Sequence, residues 1–400
     1  MRADAIVIGA GIVGAACAEA LARGGRRVLV LEAGRTGGGS TAHGEGNLLV
    51  SDKGPGAELE LSLRAAELWP AFAERARREL GEGFPHLEFE PKGGLVVATT
   101  EPGLATLEAF AAGQREAGVV AEPLDRAGAR ELEPDLTDRV AGAIWYPADA
   151  QAQPVAAAEA LAALARLRGA VVQEGARVIA PLEGPGGRLE GVVAERGGRR
   201  EEHRAELVVN AAGARAGEVG AILGGPIPVA PRRGVVLVTS RMPGRVRRKV
   251  YDADYVGAVG SGEAELLTST VVESTRGGTV LIGSSREQVG FDDRMRPQVL
   301  AAVAAKAVRL FPFLAEATLL RSYSGFRPFM PDHLPVIGPD PRRPGLWHCT
   351  GHEGAGIGLS LPSGELLAAL ADGRPGPVDA AGFQLDRPSL APHLEREAAA

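Results

Sequence analysis

The chain opens with two continuous apolar runs, separated by a glycine turn and a run of helical spacing. The apolar runs occupy about residues 3–8 and the segment "RVLVLE", and the helical run extends to about Gly24. Continuous apolar runs are typical of parallel strands that are covered on both faces, and a glycine at the end of a helix suits a C-terminal cap. The pattern therefore predicts a βαβ unit at the start of a parallel sheet.

The remaining chain alternates helical and strand patterns and then becomes rich in strands. Strands are predicted at about 93–100 and 205–213, and residues 229–284 carry β patterns such as "GVVLVT" and "GTVLIGSS". Helices are predicted at about 57–80, 103–117, 126–132, 154–167 and 296–311. A glycine loop and a last helix follow in "GHEGAGIGLSLPSGELLAALADG", and residues 387–400 are expected to form a loose tail. These elements predict a mixed α/β (α+β) protein.

The composition is that of a globular protein and excludes several classes of function. The 400 residues are 45% hydrophobic and 24% charged, with a formal net charge of −6. An acidic balance without a basic stripe argues against nucleic-acid binding. No apolar run approaches the roughly 18 residues of a membrane-spanning helix, and the N-terminus lacks a signal-peptide pattern. We therefore expect no transmembrane segment and a cytoplasmic location, with peripheral attachment to the inner membrane left open.

The cysteines and histidines do not form the pattern of a metal site. Cys17 and Cys349 are the two cysteines, too few for a disulfide framework or an iron–sulfur cluster. His348 and His352 are four residues apart, as metal ligands on a helix are, but the glycine-rich stretch beside them disfavours a helix. We expect no bound metal.

The turn after the first apolar run carries a dinucleotide-binding pattern. It reads "GAGIVG" at residues 9–14, and Glu32 ends the second strand 18 residues further on. The first glycine permits a tight bend, the second lets backbone amides approach a pyrophosphate, and the third lets the helix pack on the strand. A carboxylate at the position of Glu32 can accept hydrogen bonds from ribose hydroxyls. The cofactor-binding residues predicted here are Gly9, Gly11, Ile12, Val13, Gly14, Glu32 and Ala33.

Two later stretches also place small residues after a strand. In "VVNAAG" the strand ends near Ala211 and Gly213, where a structural turn and a ligand contact fit equally well. In "GHEGAGIG" the glycines leave room for a flat ligand at a helix N-terminus, where the helix dipole stabilises negative charge. His352 fits either a proton donor or a structural histidine. The ligand-binding candidates of this stretch are Gly351, His352, Gly354, Gly356, Ile357 and Gly358.

Together with "GFRPFMPDHLPVIG" at residues 325–338, these motifs resemble the D-amino-acid oxidase-type family of FAD-dependent oxidoreductases, which includes glycine oxidase, sarcosine oxidase and D-amino acid dehydrogenases. The motifs follow the family's order over roughly residues 3–375. The forms "GFRPFMPD" and "GHEGAGIGLS" look most similar to those of D-hydroxyproline dehydrogenase and hydrogen cyanide synthase flavoprotein subunits. The resemblance implies FAD as the cofactor and a discontinuous Rossmann-type FAD-binding domain with an inserted β-rich substrate domain. The implied segments are 1–86, 149–216 and 326–386 for the FAD-binding domain, 87–148 and 217–325 for the substrate domain, and 387–400 for the tail.

The resemblance also implies roles for single residues. Arg327 takes the place of the arginine that grips the substrate carboxylate, and a bidentate guanidinium suits that task; a structural ion pair and a cofactor phosphate are the alternatives. Tyr255 or Tyr251 would assist it. Arg232 and Arg233 fit a family position or, equally, a salt bridge. Further implied cofactor contacts are Ser40, Thr41, Glu45, Gly46, Asn47, Leu48 and Val178, with His43 as a candidate for covalent flavin attachment.

The activity that the resemblance implies is oxidation of an amino or imino acid, D-hydroxyproline-like or D-amino-acid-like, by hydride transfer from its α-carbon to the flavin. The substrate would be a small amine that carries a carboxylate. No separate NAD site is expected, because this sequence has no second nucleotide fingerprint. The resemblance to hydroxyproline dehydrogenases favours electron transfer to a quinone or to a partner subunit with iron–sulfur and flavin groups. A self-contained glycine, sarcosine or D-amino-acid oxidase that makes hydrogen peroxide is one alternative. A flavin-binding subunit without turnover is the alternative of another class.

Overall fold

The structure is a computed structural model that describes residues 2–253, 261 and 265–399, with side chains up to residue 395. Its helices are α1 Ile12–Arg23, α2 Ala57–Leu80, α3 Glu101–Glu116, α4 Arg126–Leu132, α5 Pro154–Leu167, α6 Ala216–Ile222, α7 Pro297–Leu310, α8 Gly356–Ala371 and α9 Ala391–Ala399. Its strands are β1 Ala5–Ile8, β2 Val28–Glu32, β3 Asn47–Leu48, β4 Gly94–Ala98, β5 Glu122–Leu124, β6 Gly142–Tyr146, β7 Ala150–Gln151, β8 Val171–Glu174, β9 Ala176–Glu183, β10 Leu189–Arg196, β11 Arg199–Arg204, β12 Leu207–Asn210, β13 Ala230–Arg241, β14 Lys249–Asp252, β15 Leu267–Ser274, β16 Thr279–Arg286, β17 Leu319–Phe329, β18 Val336–Pro339 and β19 Leu346–Thr350.

The first large sheet has six strands in the order β18-β19-β12-β1-β2-β8. All neighbours in it pair in parallel except β18, which runs antiparallel to β19. Helix α8 packs closely on α1, because a Cβ on Gly364 would lie only 2.7 Å from the Ala16 carbonyl oxygen. The carboxyl ends of β1, β2, β12 and β19 meet at one edge of this sheet, which is where ligands bind in open α/β sheets.

The second large sheet has eight strands in the order β17-β13-β16-β15-β14-β4-β6-β5. Helix α7 covers one face, where Val235, Leu237, Val280 and Ile282 join a core cluster with Val303 of the helix. Since side chains alternate along a strand, the residues between them project to the opposite face. That opposite face, with the centre of β13 and β17, adjoins the turn at Ser40–His43.

A three-stranded sheet (β11-β10-β9) and a two-stranded sheet (β3-β7) complete the fold. The mixed α/β class predicted from the sequence is confirmed. The strands of the six-stranded sheet all lie in the segments assigned to the FAD-binding domain, and β17 crosses the expected boundary at 325/326. The division into domains itself stays a prediction.

The predicted tail is the element that the sequence analysis describes wrongly. Residues 391–399 form α9, and Arg387 is buried before it. Nε of Arg387 donates to Oδ2 of Asp332 at 2.7 Å, and its Nη2 donates to the Leu334 carbonyl oxygen at 2.7 Å. The sequence of residues 387–400 predicted a loose tail, but Arg387 anchors this segment to the loop that follows β17.

Replacement of Arg387 by alanine is expected to lower the free energy of unfolding by about 3 kcal/mol, because it leaves the carboxylate of Asp332 buried without its partner. Burial alone would raise the pKa of Asp332, but the hydrogen bonds from Arg387 hold it below its usual value. The contribution is therefore present near neutral pH and is lost as the pH falls through that lowered pKa. Chemical unfolding at pH 7 and at acid pH measures it.

Arg374→Ala is the matched control for this prediction. Arg374 also pairs with an aspartate, Asp372, at 2.9 Å, but its side chain is 62% exposed. An exposed pair contributes at most about 1 kcal/mol. Equal losses in the two variants would contradict the anchoring role of Arg387.

One helical stretch, Glu353–Ala371, is long and apolar enough by composition to cross a membrane, with a mean hydropathy of 1.2. In the folded chain 67% of its most apolar window is buried inside the protein. This stretch contains α8, which packs between α1 and α2. Its apolar side chains are therefore part of the protein core. The expectation that no apolar run approaches this length overlooked it, because Pro362 and four glycines interrupt the sequence there.

Candidate active site

The site begins at the carboxyl edge of the six-stranded sheet. Gly9 follows β1, Ala211 follows β12 and Gly351 follows β19, while Glu32 is the last residue of β2. The parallel pairing of these strands brings to one edge the motifs that the sequence analysis treated one by one. Helices α1 and α8 both start at this edge, and neither N-cap residue supplies a side-chain hydrogen bond.

The glycines of the first turn are required by close backbone packing. Gly9 has a φ of +103°, and a Cβ on it would lie 2.6 Å from the Ala211 carbonyl oxygen. A Cβ on Gly14 would lie 2.1 Å from the Gly9 carbonyl oxygen. At Gly11 the nearest atom would be Oγ1 of Thr41, at 3.3 Å. The turn can therefore approach a flat or charged ligand with its backbone, which is its role in dinucleotide-binding folds.

Polar side chains from two other segments support this turn. Oγ1 of Thr41 accepts a hydrogen bond from the backbone N–H of Ile12 at 3.0 Å, at the start of α1. The carboxylate of Glu32 accepts from the backbone N–H of Ala10 at 2.7 Å and from that of Gly34 at 2.6 Å. Glu32 thus lies beside the glycine turn, where a ribose would pass between the strand end and the helix.

The second glycine stretch lies against the eight-stranded sheet. A Cβ on Gly354 would lie 3.4 Å from Nε of Arg327, and one on Gly358 would lie 3.5 Å from the carbonyl oxygen of Asn47. The start of α8 therefore adjoins both the predicted carboxylate-binding arginine and the loop at residues 45–48. Gly351 has a φ of +84°, so a residue with a side chain would be strained there.

His352 is directed into the protein core. Its Nε2 lies 2.9 Å from Oγ of Ser363 in α8, and the side chain is buried. Burial lowers the pKa of His352 to about 3, so the ring is neutral at physiological pH. Its hydrogen-bond partner is thus a hydroxyl of α8, which is compatible with a structural histidine. The role of His352 as a proton donor stays a prediction.

Arg327 lies in the middle of a surface formed by β13 and β17. It is directly opposite Arg232 in the antiparallel pair, and Gly234 is opposite Gly325. A Cβ on Gly234 would lie 2.1 Å from Nη1 of Arg327, so the missing side chain makes room for the guanidinium. Nη1 donates to the Ser285 carbonyl oxygen at 2.9 Å. We name this surface, with Arg232, Gly234, Gly325 and Arg327, the arginine face.

Two arginines at the start of β13, Arg232 and Arg233, form ion pairs. Nη1 of Arg232 lies 3.6 Å from Oε2 of Glu353, whose Oε1 lies 2.8 Å from Nδ1 of His333. Arg233 points to the other face, where its Nε donates to Oε2 of Glu287 at 3.1 Å. The geometry favours the salt-bridge alternative for both Arg232 and Arg233.

Glu45, in the loop before β3, packs against the sheet that carries the arginine face. Its side chain is buried, and a Cβ on Gly283 would lie 2.0 Å from its Oε1. Nδ2 of Asn47 donates to Oε2 at 3.1 Å. Burial raises the pKa of Glu45 above its usual value. The positive charges that act against this rise are those of Lys249, Arg327 and Arg286.

Tyr323 is a residue of this region that the sequence analysis missed. It lies four residues before Arg327 on β17, so it projects to the same face. Its ring packs edge-on to His43 at 6.1 Å between centroids. Burial and the negative charge of Glu45 raise its pKa. The alternation of β17 from Arg327 backwards was the signal that could have found it.

The remaining predicted residues do not all lie at this edge. Oγ of Ser40 donates to the Phe326 carbonyl oxygen at 2.5 Å, and Asn47 and Leu48 form β3. Val178 packs in the core cluster beneath β1 and β2. Tyr251 is in a separate core cluster with Tyr146. Tyr255 lies outside the described residues.

A cavity of about 200 Å³ borders the loop at residues 47–50 and the start of α8. Its walls include Trp69 and Phe89, whose rings stack with centroids 6.4 Å apart. Nε1 of Trp69 donates to the Gly358 carbonyl oxygen at 2.9 Å, which fixes the wall to α8. Within the described part of the chain, the histidines, cysteines and acidic residues form no group of three that could hold a metal ion.

Comparison with known proteins identifies the class that this fold and site define. The model of the FAD dependent oxidoreductase family, DAO, matches residues 4–370. The chain therefore belongs to this family, and the resemblance inferred from its motifs is confirmed. It is an FAD-dependent oxidoreductase.

Individual relatives are similar over nearly the whole chain. Glycine oxidase of Geobacillus kaustophilus is 30% identical over 397 residues, which cover 96% of this chain and 97% of that protein. Its crystal structure matches with a TM-score of 0.85, at 29% identity, over 96% of this chain and 99% of that one. Hydrogen cyanide synthase subunit HcnC of Pseudomonas aeruginosa is 28% identical over 418 residues, covering 95% of each chain. The crystal structure of L-proline dehydrogenase from P. horikoshii matches with a TM-score of 0.84, at 25% identity, over 96% of each chain.

The residues at the sheet edge fit FAD. The crowded glycines at positions 9 and 14 keep the first turn free of side chains, and the start of α1 offers backbone N–H groups and a positive dipole end to a pyrophosphate. Glu32 offers carboxylate oxygens to a ribose. At the other end, Gly354, just before α8, borders Arg327 of the arginine face, and Gly358 of α8 borders Asn47 and Leu48.

Proposed function

We propose that this protein oxidises a small α-amino or α-imino acid, with Arg327 binding its carboxylate. The relatives support the substrate class, because they include a glycine oxidase and an L-proline dehydrogenase. The observation that carries the proposal is the position of Arg327, between the glycine stretch of α8 and the bare Cα of Gly234. A guanidinium there can present two N–H groups to one carboxylate.

The arginine face would orient the substrate and exclude water. Arg327 lies on a rigid, paired strand, so the bound carboxylate has one position relative to the start of α8. Fixing the carboxylate fixes the direction of the α-carbon, and such orientation contributes a large part of a catalysed rate. Bound FAD supplies the two-electron oxidation. Arg232 is neutralised by Glu353, so a single carboxylate, rather than a dianion, matches the charge of this face.

Anaerobic reduction of the bound flavin tests the proposal. The purified yellow protein would be mixed with glycine, sarcosine, D-alanine, both enantiomers of proline, and the cis and trans 4-hydroxyprolines of both hands. At least one of them is expected to bleach the flavin, and the matched amines without a carboxylate, methylamine, dimethylamine and pyrrolidine, are expected to leave it oxidised. Bleaching by none of the acids, or by the amines equally fast, would contradict the proposal.

The electron acceptor is a separate part of the proposal. Transfer to a quinone or a partner subunit is our first proposal, and direct reaction with oxygen is the second, supported by the similarity to glycine oxidase. Oxygen uptake by the purified chain, with the acid that bleaches it, separates them. Stoichiometric hydrogen peroxide at an undiminished rate would favour the oxidase, whereas turnover only after addition of an artificial quinone would favour the dehydrogenase.

A further inference from the structure

Oxidation of an amino acid requires that its amine lose a proton, either to solvent or to a side chain of the site. In neutral water the amine is an ammonium ion, and its nitrogen has no electron pair with which to form a C=N bond. Arg327 is a permanent cation and cannot accept this proton. The acceptor must lie close to Arg327, because the amine and the carboxylate share one carbon atom.

Glu45 is the carboxyl group that meets these conditions among the described residues. Its Oε1 lies against the bare Cα of Gly283 on β16, two residues before Ser285, whose carbonyl oxygen accepts a hydrogen bond from Arg327. Oε2 is held by the side-chain amide of Asn47 at 3.1 Å. Oε1 is buried and has no hydrogen-bond partner in the described part of the chain. A buried oxygen of this kind requires a partner, and an ammonium or amine N–H is a suitable one.

The neighbouring titratable groups are less suited to the task. The carboxylate of Glu353 already contacts the side chains of Arg232 and His333. His352 bonds to Ser363 in the core. The phenol of Tyr323 is kept protonated by its raised pKa.

We propose, building on the proposed function, that Glu45 accepts the proton of the substrate amine while Arg327 holds the carboxylate. An N–H bond of the ammonium breaks and an O–H bond forms at Oε1. The electron pair left on nitrogen is then available to form the C=N bond, and FAD, when bound, would supply the oxidising group that accepts the α-hydrogen with its bonding pair. The product leaves as an iminium ion, and Glu45 returns its proton to solvent before the next turnover.

The surroundings of Glu45 suit a proton acceptor. Burial raises its pKa toward the pH of the cell, which favours efficient proton transfer. The charged and titratable groups that face it are Lys249, Arg327, Arg286 and Tyr323. Lys249 is itself buried and paired with Glu273.

The first test is the pH dependence of anaerobic flavin reduction in Glu45→Gln, with glycine, sarcosine and both prolines as substrates. Near neutral pH the rate is expected to fall by roughly a hundredfold or more, the usual contribution of a general base. The rate of the variant is expected to rise about tenfold per pH unit up to the pKa of the free amine, because only the neutral amine then reacts. A wild-type-like pH profile in the variant would overturn the proposal.

Glu133→Gln is the matched control. Glu133 is also buried with a raised pKa, but its Oε1 accepts from the backbone N–H groups of Arg247 and Arg248. This variant is expected to lose stability and to keep the wild-type pH profile. The same change of profile in Glu133→Gln would show that loss of any buried carboxylate produces the effect, and would overturn the assignment.

A second test needs only the wild-type holoenzyme and so decides the case if Glu45→Gln does not fold. Tetrahydro-2-furoate resembles proline but has a ring oxygen, which can accept a hydrogen bond and cannot donate one. Its binding, followed by the flavin spectrum, is expected to weaken as the pH rises and Glu45 loses its proton. Binding that does not change with pH, or no binding, would overturn the proposal.

The outcomes distinguish this inference from the proposed function. If no amino acid reduces the wild-type flavin, the proposed function fails and this inference fails with it. If only the pH results disagree, the proposed function stands.

Discussion

Arg327→Ala is expected to lower kcat/KM for the amino acid substrate by a hundredfold or more. Removal of one partner from a buried charge pair costs about 3 kcal/mol, and each 1.4 kcal/mol or so is a factor of ten in rate. Arg327→Lys is expected to recover only a small part of this loss, since a lysine is a point charge and cannot form two parallel hydrogen bonds with one carboxylate. Steady-state kinetics and the rate of anaerobic flavin reduction measure both variants.

Arg321→Ala is the control on the same strand. Arg321 lies at the far end of β17 and is exposed to solvent. Its replacement is expected to leave kcat/KM within about twofold of the wild type, as exposed residues contribute little. FAD content should be normal in all three variants. Undiminished turnover in Arg327→Ala would contradict carboxylate binding by this arginine. It would instead favour the alternative that Arg327 forms a structural ion pair.

Gly14→Ala is expected to yield a protein that lacks bound FAD. The added Cβ would lie 2.1 Å from the Gly9 carbonyl oxygen, so α1 and the first turn must separate. Overpacking of this kind costs about 1–3 kcal/mol, and the displaced helix start also loses its position beside the pyrophosphate. The ratio of flavin to protein absorbance in the purified variant, and its melting temperature with and without added FAD, measure the effect.

Gly39→Ala is the matched control for Gly14→Ala. Gly39 precedes the turn at Ser40–His43, near the same site, with a φ of −82°. A Cβ on it would meet nothing within 4 Å, so this variant is expected to keep FAD and a wild-type melting temperature. Full FAD occupancy in Gly14→Ala would mean that the first turn is not part of the FAD-binding site.

Local sequence patterns were sufficient for most of the longer helices and for the sheet edge, but not for α6 and α9. The predicted bounds of α2 and α4 agree with the structure, because both helices have a clear apolar stripe or a capping aspartate, Asp125. The glycine turn was predictable because its spacing follows from a backbone requirement at Gly9 and Gly14. Gly24 is the C-cap of α1, as predicted, and the left-handed residue is the next one, Gly25, with a φ of +88°.

The partners within the site were not predictable in the same way. Arg232 and Arg327 are 95 residues apart and become neighbours only through the register of β13 and β17. The resemblance implied a cofactor contact for Glu45, which stays a prediction, and nothing in its own segment indicates that Gly283 lies beside it. The anchoring of residue 387 to residue 332 has the same origin. Periodicity reports which face of an element is buried, but it does not report what lies against that face.

A comparison of each active amino acid with its amide tests carboxylate binding by Arg327 most directly. Glycinamide, sarcosinamide, alaninamide and prolinamide keep the amine and the α-hydrogen but lose the negative charge. We expect the amide to reduce the wild-type flavin at least a hundredfold more slowly than the acid, and we expect Arg327→Ala to remove most of this difference, because the two changes delete the same interaction. If Arg327→Ala kept the full preference for the acid over the amide, Arg327 would not be the residue that binds the substrate carboxylate.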